Sequence, residues 1–334
     1  MGERAPPGTF HGGDLDAARN LFPNAPEPWL DLSTGINPVP YPLPTFEASA
    51  FQRLPSAFDL LALKRAAATA YGAPGPEHVA AAPGSQILIE TLPRLRSASR
   101  VAVVEPTYAE HAMAWRRAGH AVETVAEVPT AERFDVVVVV SPNNPDGRIH
   151  AADVLVRSAS TLAAKGGLLV VDEAFADLED EGTAGAEFGP SAVRLRSFGK
   201  TYGLAGLRLG FALTEPALAR RIEAALGPWA VSGPAIAAGL AALPDTAWLG
   251  EAAAARARDA ARLDRMILRG GGRIVGGTVL FRTATFADGP SLFRRLGEAG
   301  IYVRRFPERP AQLRFGLPPD KATWCRLSRV LKPV

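Results

Sequence analysis

The chain has 334 residues, of which 47% are hydrophobic and 21% charged, a balance typical of a globular protein that buries a sizeable core. This length exceeds the usual size of one domain, about 100–200 residues, and predicts a large domain with a smaller one. The formal net charge is only +3 and the basic residues are scattered along the sequence, so we expect no nucleic-acid-binding surface. Because the sequence has one cysteine, we expect no intrachain disulfide and no cysteine-rich metal cluster.

Three features of the sequence bear on location. The N-terminal residues lack the apolar stretch of a signal peptide, and no run of about 18 or more apolar residues could span a bilayer. The single cysteine, Cys325, suits a reducing compartment. The sequence therefore predicts a cytoplasmic protein without a membrane partner.

Composition changes along the chain predict its domain organisation. The first forty residues are rich in proline and glycine, which favours an extended arm over regular structure. Apolar residues recur at helical spacing from Ser56 to Ala70, and Gly72 is a suitable C-terminal cap. From Ala235 the sequence predicts helices that lead to a second unit of strands and helices. We predict an arm at 1–40 that packs on the small domain and the active site, a large domain at 41–230 and a small domain at 231–334.

Short apolar runs alternate with helical stretches in the predicted large domain. Their lack of polar alternation is typical of strands covered on both faces, as in a largely parallel sheet. The predicted fold class is therefore α/β, a mostly parallel sheet sandwiched by helices, with a smaller α/β C-terminal domain. The runs are Val101–Pro106, Val136–Pro142, Gly167–Phe175, Val193–Phe198 and Leu207–Leu213.

Chemically useful residues follow the ends of these runs. Ligands bind beyond the carboxyl ends of the strands in open α/β sheets, so such residues are expected to converge at one edge. Lys200 ends an apolar strand and precedes small residues, a setting in which its amine can lose its proton and form a Schiff base. Asp172 could pair with a protonated pyridine nitrogen or simply cap the next helix. The set comprises Tyr108, Asn144, Asp172 and Lys200.

Other motifs are weaker when taken alone. The segment Gly84-Ser85-Gln86 precedes a helical pattern, so its backbone N–H groups could bind a phosphate or only cap the helix. Ser197 and Arg208 flank Lys200 as candidate phosphate ligands. Asn144 lies in an Asn-Pro-Asp-Gly sequence that is also a good β-turn.

The order of these motifs resembles the fold-type I pyridoxal 5'-phosphate (PLP) enzymes of the aminotransferase superfamily, near the histidinol-phosphate aminotransferases. The resemblance covers nearly the whole chain. It implies PLP on Lys200, Asp172 at the ring nitrogen, Asn144 at the phenolic oxygen and Tyr108 stacked on the ring. It implies a phosphate site at Gly84, Ser85, Gln86, Ser197 and Arg208, and a late arginine at Arg314.

Two N-terminal segments narrow the resemblance. His11-Gly12-Gly13-Asp14 and Asp31 to Pro38 are similar to the threonine-phosphate decarboxylases of cobalamin biosynthesis. That branch converts L-threonine O-3-phosphate to (R)-1-amino-2-propanol O-2-phosphate and carbon dioxide. The resemblance implies a small phosphorylated amino-acid substrate, a homodimer, and contact with the amide-forming enzyme that uses the product. The implied substrate-binding residues are His11, Gly35, Asn37, Arg304 and Arg314.

Alternatives remain for several of these residues. His11 could be an ordinary mobile terminal residue, and Arg304 could be solvated, because strand alternation lets only one of Arg304 and Arg305 face a cleft. Leu54 stands where relatives carry a tyrosine that reaches the partner subunit's cofactor phosphate, so that contact is not expected here.

The reaction type also remains open. Phe175 replaces a tyrosine common in aminotransferases, which mildly favours decarboxylation. The alternatives are an aminotransferase of the histidinol-phosphate type and an inactive protein of the same fold that binds a pathway partner. The presence of Lys200, Asp172 and Asn144 argues against the inactive protein.

Overall fold

A computed structural model of the chain describes residues 12–179 and 188–332. Its strands are β1 (Leu30–Leu32), β2 (Val79–Ala82), β3 (Arg100–Val104), β4 (Ala121–Val125), β5 (Val136–Val140), β6 (Leu168–Asp172), β7 (Ala192–Ser197), β8 (Gly210–Thr214), β9 (Arg273–Thr278), β10 (Phe281–Thr285), β11 (Ile301–Arg305) and β12 (Gln312–Gly316). Its α-helices are α1 (Leu15–Leu21), α2 (Ser49–Gln52), α3 (Ala57–Tyr71), α4 (Ser85–Arg94), α5 (Glu110–Arg117), α6 (Ala152–Ala163), α7 (Phe198–Thr201), α8 (Pro216–Leu226), α9 (Gly233–Ala242), α10 (Thr246–Arg269), α11 (Gly289–Glu298) and α12 (Lys321–Val330).

The described residues fall into two compact units. One contains the residues up to Pro38 together with those from Ala257 onward, and the other is Val39–Arg256. The dividing point near residue 256 lies within α10, whereas the sequence analysis put the start of its small domain at residue 231. None of the helices in the described ranges combines the length and apolarity needed to cross a membrane.

The larger unit is built on a seven-stranded sheet with the order β2-β8-β7-β6-β5-β3-β4. Strands β3 to β7 run parallel to one another, and β8 is antiparallel to both β2 and β7. The predicted α/β fold with a mostly parallel sheet is therefore confirmed.

Strand β5 shows why the sheet is buried on both faces. Its five valines are all buried and successive side chains point to opposite faces. Val136 and Val138 belong to the core that includes residues of α4, α5 and α8, whereas Val137 and Val139 belong to the core that includes residues of α6. A third core joins β2 and β8 to α3 and α9.

Local signals in the sequence set the bounds of α3. Ser56 caps the helix N-terminus by accepting a hydrogen bond from the Asp59 backbone, and Asp59 returns the contact in a capping box. Gly72 ends the helix with φ +68°, a left-handed conformation that glycine adopts without strain. The predicted helix and its glycine cap are confirmed.

The smaller unit contains a five-stranded sheet with the order β1-β11-β12-β10-β9. Its core joins the sheet to residues of α1, α10, α11 and α12. The prediction of an N-terminal arm without regular structure was wrong for residues 15–21 and 30–32. Asp14 caps α1, and β1 pairs in parallel with β11, a strand about 270 residues later whose pairing no local signal reveals.

One strand begins later than predicted. The apolar run at residues 207–213 was expected to be a strand throughout, but β8 begins only at Gly210. Ala205–Leu207 form a short 3-10 helix and Arg208 has φ +53°, a backbone conformation that a strand cannot contain.

Candidate active site

The carboxyl ends of the parallel strands form one edge of the large sheet. Asp172 is the last residue of β6, and its backbone carbonyl accepts a hydrogen bond from Ser141, which directly follows β5. Lys200 lies in the helical turn α7, immediately after β7. Strand β7 pairs in parallel with β6, so these residues come to the same edge because their strands end there, as predicted.

Asp172 is held by two hydrogen bonds in the interior of the protein. Its Oδ1 accepts from the backbone N–H of Ala174 at 3.0 Å, and its Oδ2 lies 2.9 Å from Nε2 of His111. Asp172 is only 4% exposed and His111 1% exposed. The carboxylate therefore has a fixed orientation without contact to bulk water.

These surroundings keep Asp172 ionised. Burial, the largest single influence, raises its pKa, but the hydrogen bond and charge of His111, the charge of Lys200 and the Ala174 N–H together outweigh burial, so the pKa lies below the ordinary value. Because an ionised carboxylate only accepts hydrogen bonds, Nε2 of His111 is the donor in this pair.

Sequence reasoning missed His111. The histidine follows Tyr108 by three residues and is in the first turn of α5, whereas Tyr108 precedes the helix. Their rings meet edge to face, with centroids 6.2 Å apart. The closeness of His111 to Tyr108 in the sequence was the one available signal.

Tyr108 also contacts the predicted phosphate segment. Its hydroxyl donates to Oε1 of Gln86 at 3.0 Å, and Gln86 is the second residue of α4. The aromatic residue is thereby fixed between the N-terminus of α4 and the His111–Asp172 pair. Its predicted neighbourhood is present, while stacking on a cofactor ring stays a prediction.

The predicted phosphate residues lie close together. Gly84 has φ +88°, and a Cβ built on it would lie 2.5 Å from a guanidinium nitrogen of Arg208. A Cβ on Gly210 would lie 2.5 Å from the backbone nitrogen of Ser85. Both glycines therefore permit a close approach of Arg208 and β8 to the N-terminus of α4. This group offers backbone N–H donors, a hydroxyl and a guanidinium, which are the groups that bind phosphate.

The side chain of Lys200 extends over an aromatic ring. Its Nζ lies 5.0 Å from the centroid of the Phe175 ring, and Phe175 is buried. The adjacent Gly199 packs so closely that a Cβ there would lie 2.6 Å from Cα of Ala205. The turn that carries the lysine is therefore tightly packed against the segment that follows it.

A buried ionic network lies beside the turn that carries Lys200. Oγ1 of Thr201 donates to Asp177 at 2.8 Å, and Arg196 donates to the other oxygen of Asp177 at 2.6 Å. Glu173, fully buried, forms ion pairs with Arg194 at 2.9 Å and with Arg196 at 3.0 Å. Such a network fixes β6, β7 and the Lys200 turn relative to one another.

Asn144 lies in the loop that follows β5, and its half-buried side chain is at the expected edge. The preceding Asn143 was not predicted, yet it is almost fully buried and organises the loop. Its amide donates to the carbonyl of Pro106 at 2.8 Å and to Asp146 at 2.7 Å, and it accepts from Thr107 at 2.6 Å. Asn143 therefore joins the loop carrying Asn144 to the residues just before Tyr108.

The predicted substrate residues that the structure describes belong to the smaller unit. Gly35 and Asn37 are buried after β1, and Arg304 is opposite Arg314 in the register of β11 and β12. Arg305 points to the other face, over the ring of Phe293 at 5.0 Å. This confirms that only one of the two adjacent arginines shares a face with Arg314. His11 lies outside the described residues.

Arg314 is a buried cation close to another cation. Burial and then the charge of Arg304 lower its pKa, while Asp31 raises it. Its guanidinium donates to the carbonyl of Ser33 at 2.7 Å. Directly opposed like charges are destabilising unless an opposite charge offsets them, so this face of the sheet is suited to an anion.

The sheet order and the residues at its carboxyl edge define the class as an α/β enzyme with the fold-type I aminotransferase architecture. The family model for aminotransferases of class I and II matches residues 45–323. The chain belongs to the class I and II aminotransferase family, so the resemblance in the sequence is confirmed.

Known relatives extend over almost the whole chain. It is 44% identical to a threonine-phosphate decarboxylase of a Sinorhizobium species over 96% of this chain and 97% of the relative. It is 42% identical to the threonine-phosphate decarboxylase of Pseudomonas aeruginosa over 96% of both chains. Among solved structures, the histidinol-phosphate aminotransferase of Sinorhizobium meliloti in complex with PLP matches with a TM-score of 0.76 at 21% identity, covering 97% of this chain and 93% of that one.

Proposed function

We propose that this protein is a PLP-dependent lyase that decarboxylates L-threonine O-3-phosphate to (R)-1-amino-2-propanol O-2-phosphate. The observation that carries the proposal is the buried Asp172–His111 pair at the same sheet edge as Lys200, in a chain whose full-length relatives are threonine-phosphate decarboxylases. The relatives supply the reaction, and the site supplies groups able to perform it.

The residues of the larger unit fit PLP. Gly84, Ser85 and Arg208 would bind its phosphate, since a side chain at Gly84 would collide with the Arg208 guanidinium and the glycine leaves that approach open. Asp172 would hold the protonated ring nitrogen, Asn144 the phenolic oxygen, and Lys200 the carbonyl carbon. When bound, PLP supplies an electron-accepting ring that takes up the electron pair left at the substrate Cα.

Asp172 and His111 would act together on the ring nitrogen. The carboxylate stays ionised at neutral pH because His111 and the Ala174 N–H donate to it. An ionised acceptor at this position favours the protonated ring nitrogen. His111 is a positioning residue, since it acts through Asp172.

Lys200 has a second role after it has bound the cofactor. Decarboxylation removes carbon dioxide from Cα and requires one proton in its place. The Lys200 ammonium group would deliver that proton to Cα. The Phe175 ring, 5.0 Å from Nζ, covers one side of this amine, and the lysine is placed to act as the proton donor.

The substrate carries two anionic groups, a carboxylate and a phosphate. Arg304 and Arg314, opposite each other on β11 and β12, are suited to bind them because a guanidinium can form two parallel hydrogen bonds to either group. Gly35 and Asn37 would contribute backbone and amide groups, and His11 is proposed from the sequence alone. Arginines that hold the carboxylate fixed would determine that the bond to carbon dioxide breaks and the Cα–H bond does not.

A substrate panel tests the reaction. The PLP-loaded protein is incubated with threonine phosphate, with no 2-oxo acid present, and carbon dioxide and amine are measured. We expect equal amounts of carbon dioxide and aminopropanol phosphate. If histidinol phosphate instead transfers its amino group to 2-oxoglutarate and threonine phosphate releases no carbon dioxide, the protein is an aminotransferase. Phe175, which lacks a hydroxyl at the cofactor, favours the first outcome.

The proposed setting is the cytoplasm and cobalamin biosynthesis, with a homodimer as the active form and with contact to the amide-forming enzyme that uses the product. Support for the homodimer comes from large apolar side chains exposed on the larger unit. Leu54, Phe58 and Trp229 are 67%, 73% and 59% exposed. Trp229 lines one pocket with residues 55–57, which lie between Leu54 and Phe58, so the three side chains belong to one apolar surface. A second copy of the chain is the proposed cover for this surface, because monomers seldom leave a large apolar patch in water.

A further inference from the structure

A groove between α10 and α12 of the smaller unit is strongly basic. It has a volume of ≈ 400 Å³ and is lined mainly by residues with cationic side chains. We call it the basic groove, and its cations are Arg262, Arg265, Arg269, Arg329 and Lys332.

The charge of the basic groove is offset only in part. Asp264 is close enough to Arg265 for their charges to interact, but its ion pair is with Arg282. The lining of the groove contains no aspartate or glutamate, and in the described part of the chain these five side chains form no ion pair with a carboxylate. All five are exposed. The chain as a whole has 37 basic and 34 acidic residues, so this concentration of one sign is a local property.

The sequence alone does not reveal this cluster of cations. Arg262, Arg265 and Arg269 are three and four residues apart, which places them on one face of α10. Arg329 lies in the last turn of α12, about 60 residues later, and Lys332 follows that helix. Both reach the same groove only through the packing of the two helices.

One arginine side chain is restricted before any ligand binds. The guanidinium carbon of Arg262 lies 4.3 Å from the centroid of the Trp324 ring, and Trp324 is buried. Contact with the indole restricts the arginine, which lowers the entropy cost of using its N–H donors on a ligand. Ser328 adds a hydroxyl to the same lining.

We propose that the basic groove binds a compact polyanion of the di- or triphosphate class, at a site separate from the residues assigned to PLP and substrate. Arginine is the side chain best suited to phosphate oxygens, since its planar fork can donate two hydrogen bonds. The volume is that of a small-molecule site, and a concave groove suits a compact ligand better than the flat surface of a lipid bilayer. The inference does not depend on the proposed decarboxylase reaction.

Cys325 provides a probe at the groove itself. It is an exposed free thiol in the lining and is the only cysteine in the sequence. The rate at which neutral iodoacetamide alkylates Cys325 in the PLP-loaded protein is measured as inorganic tripolyphosphate is added at low ionic strength. We expect a saturable decrease in rate that added salt reverses, because a bound anion shields the thiol and salt screens the attraction.

Variants with matched charge test whether the groove arginines are responsible. Arg265→Ser with Arg269→Ser should raise the tripolyphosphate concentration for half-maximal protection about tenfold or more, since charge-assisted hydrogen bonds are lost. Arg258→Ser with Arg273→Ser removes the same charge from exposed positions of the same unit outside the groove. In this control variant, tripolyphosphate should protect Cys325 at the same concentration as in the wild type. Unchanged melting temperatures establish that each variant is folded.

Three results would overturn the proposal. Tripolyphosphate at millimolar concentration could leave the alkylation rate unchanged, or both double variants could behave like the wild type. Alternatively, polyglutamate or vesicles containing phosphatidylglycerol could protect Cys325 when tripolyphosphate does not, which would assign the groove to a macromolecular partner.

Discussion

Nε2 of His111 lies 2.9 Å from Oδ2 of Asp172, and both side chains are almost completely buried. A carboxylate in such a place would ordinarily gain a proton, because burial disfavours charge. Here the histidine and the nearby Lys200 reverse that effect and the pKa is lowered. The electrostatic state of the proposed site thus depends on a residue that would not itself touch the substrate.

Replacing His111 by asparagine should shift the acid limit of activity. Without the histidine, an influence that lowers the pKa of Asp172 is lost, so its pKa rises and the carboxylate gains a proton at a higher pH than in the wild type. We expect kcat to fall about tenfold or more, by analogy with other partners that orient a functional ligand. In the pH profile of kcat, the loss of activity on the acid side should begin at a higher pH than in the wild type.

His120→Asn is the matched control for this variant. His120 is also buried and contacts the Ser99 backbone N–H and the Pro93 carbonyl, outside the proposed site. Its replacement should lower the melting temperature without moving the pH profile. A His111→Asn enzyme that is folded and has the wild-type profile would remove the positioning role.

Replacing Gly84 by alanine should weaken cofactor binding. The new Cβ would lie 2.5 Å from the Arg208 guanidinium, and the residue has φ +88°, so the loop or the arginine must move. We expect the Kd for PLP, measured by absorbance titration, to rise about tenfold or more because phosphate ligands are displaced.

Gly72→Ala separates backbone strain from displacement of Arg208. Gly72 has φ +68° but no atom within contact distance of its built Cβ. This variant should lose about 1 kcal/mol of unfolding free energy and keep the wild-type Kd for PLP. Equal PLP binding by the Gly84→Ala and wild-type proteins would count against the phosphate assignment.

Arg304 and Arg305 should differ in their effect on the substrate. Arg304→Gln removes one of two guanidinium groups proposed to bind substrate anions, and the KM for threonine phosphate should rise at least about tenfold. Arg305→Gln alters a side chain that lies over Phe293 on the opposite face and should change KM less than about twofold. Similar KM values for the two variants would contradict the proposed arrangement.

The exposed apolar residues of the larger unit should govern self-association. Phe58→Ser combined with Trp229→Ser should raise the Kd of the dimer about 100-fold or more, as loss of two interface aromatics does in other complexes. Sedimentation velocity measures this change. Leu268→Ser removes a residue that is 57% exposed on α10 and should leave the dimer intact. A wild-type protein that sediments as a monomer would refute the proposed assembly.

The sequence predicted which residues lie at the edge of the sheet better than it predicted the contacts between their side chains. Tyr108, Asn144, Asp172 and Lys200 were found because parallel strands end at a common edge, and strand ends can be read from apolar runs. The hydrogen bond from His111 to Asp172 joins residues 61 positions apart. Such a pairing depends on how α5 packs against the sheet, which the local pattern does not encode.

The same limit explains the errors in the N-terminal segment. Proline and glycine correctly marked turns, but β1 exists because β11 offers a pairing partner far along the chain. The basic groove was likewise missed because the arginines of α10 meet Arg329 and Lys332, about 60 residues later, only in the folded unit. Local signals were sufficient for α3, whose capping residues are its own neighbours.

The most direct test of the account is to reduce the PLP-loaded protein with borohydride and map the modified peptide. We predict that one lysine, Lys200, carries the pyridoxyl group, and that Lys200→Ala protein carries none and releases no carbon dioxide from threonine phosphate. Lys64→Ala, which removes a lysine paired with Glu223, should retain the label at Lys200. Labelling at another lysine in the wild-type protein, or turnover by Lys200→Ala at the wild-type rate, would contradict the account.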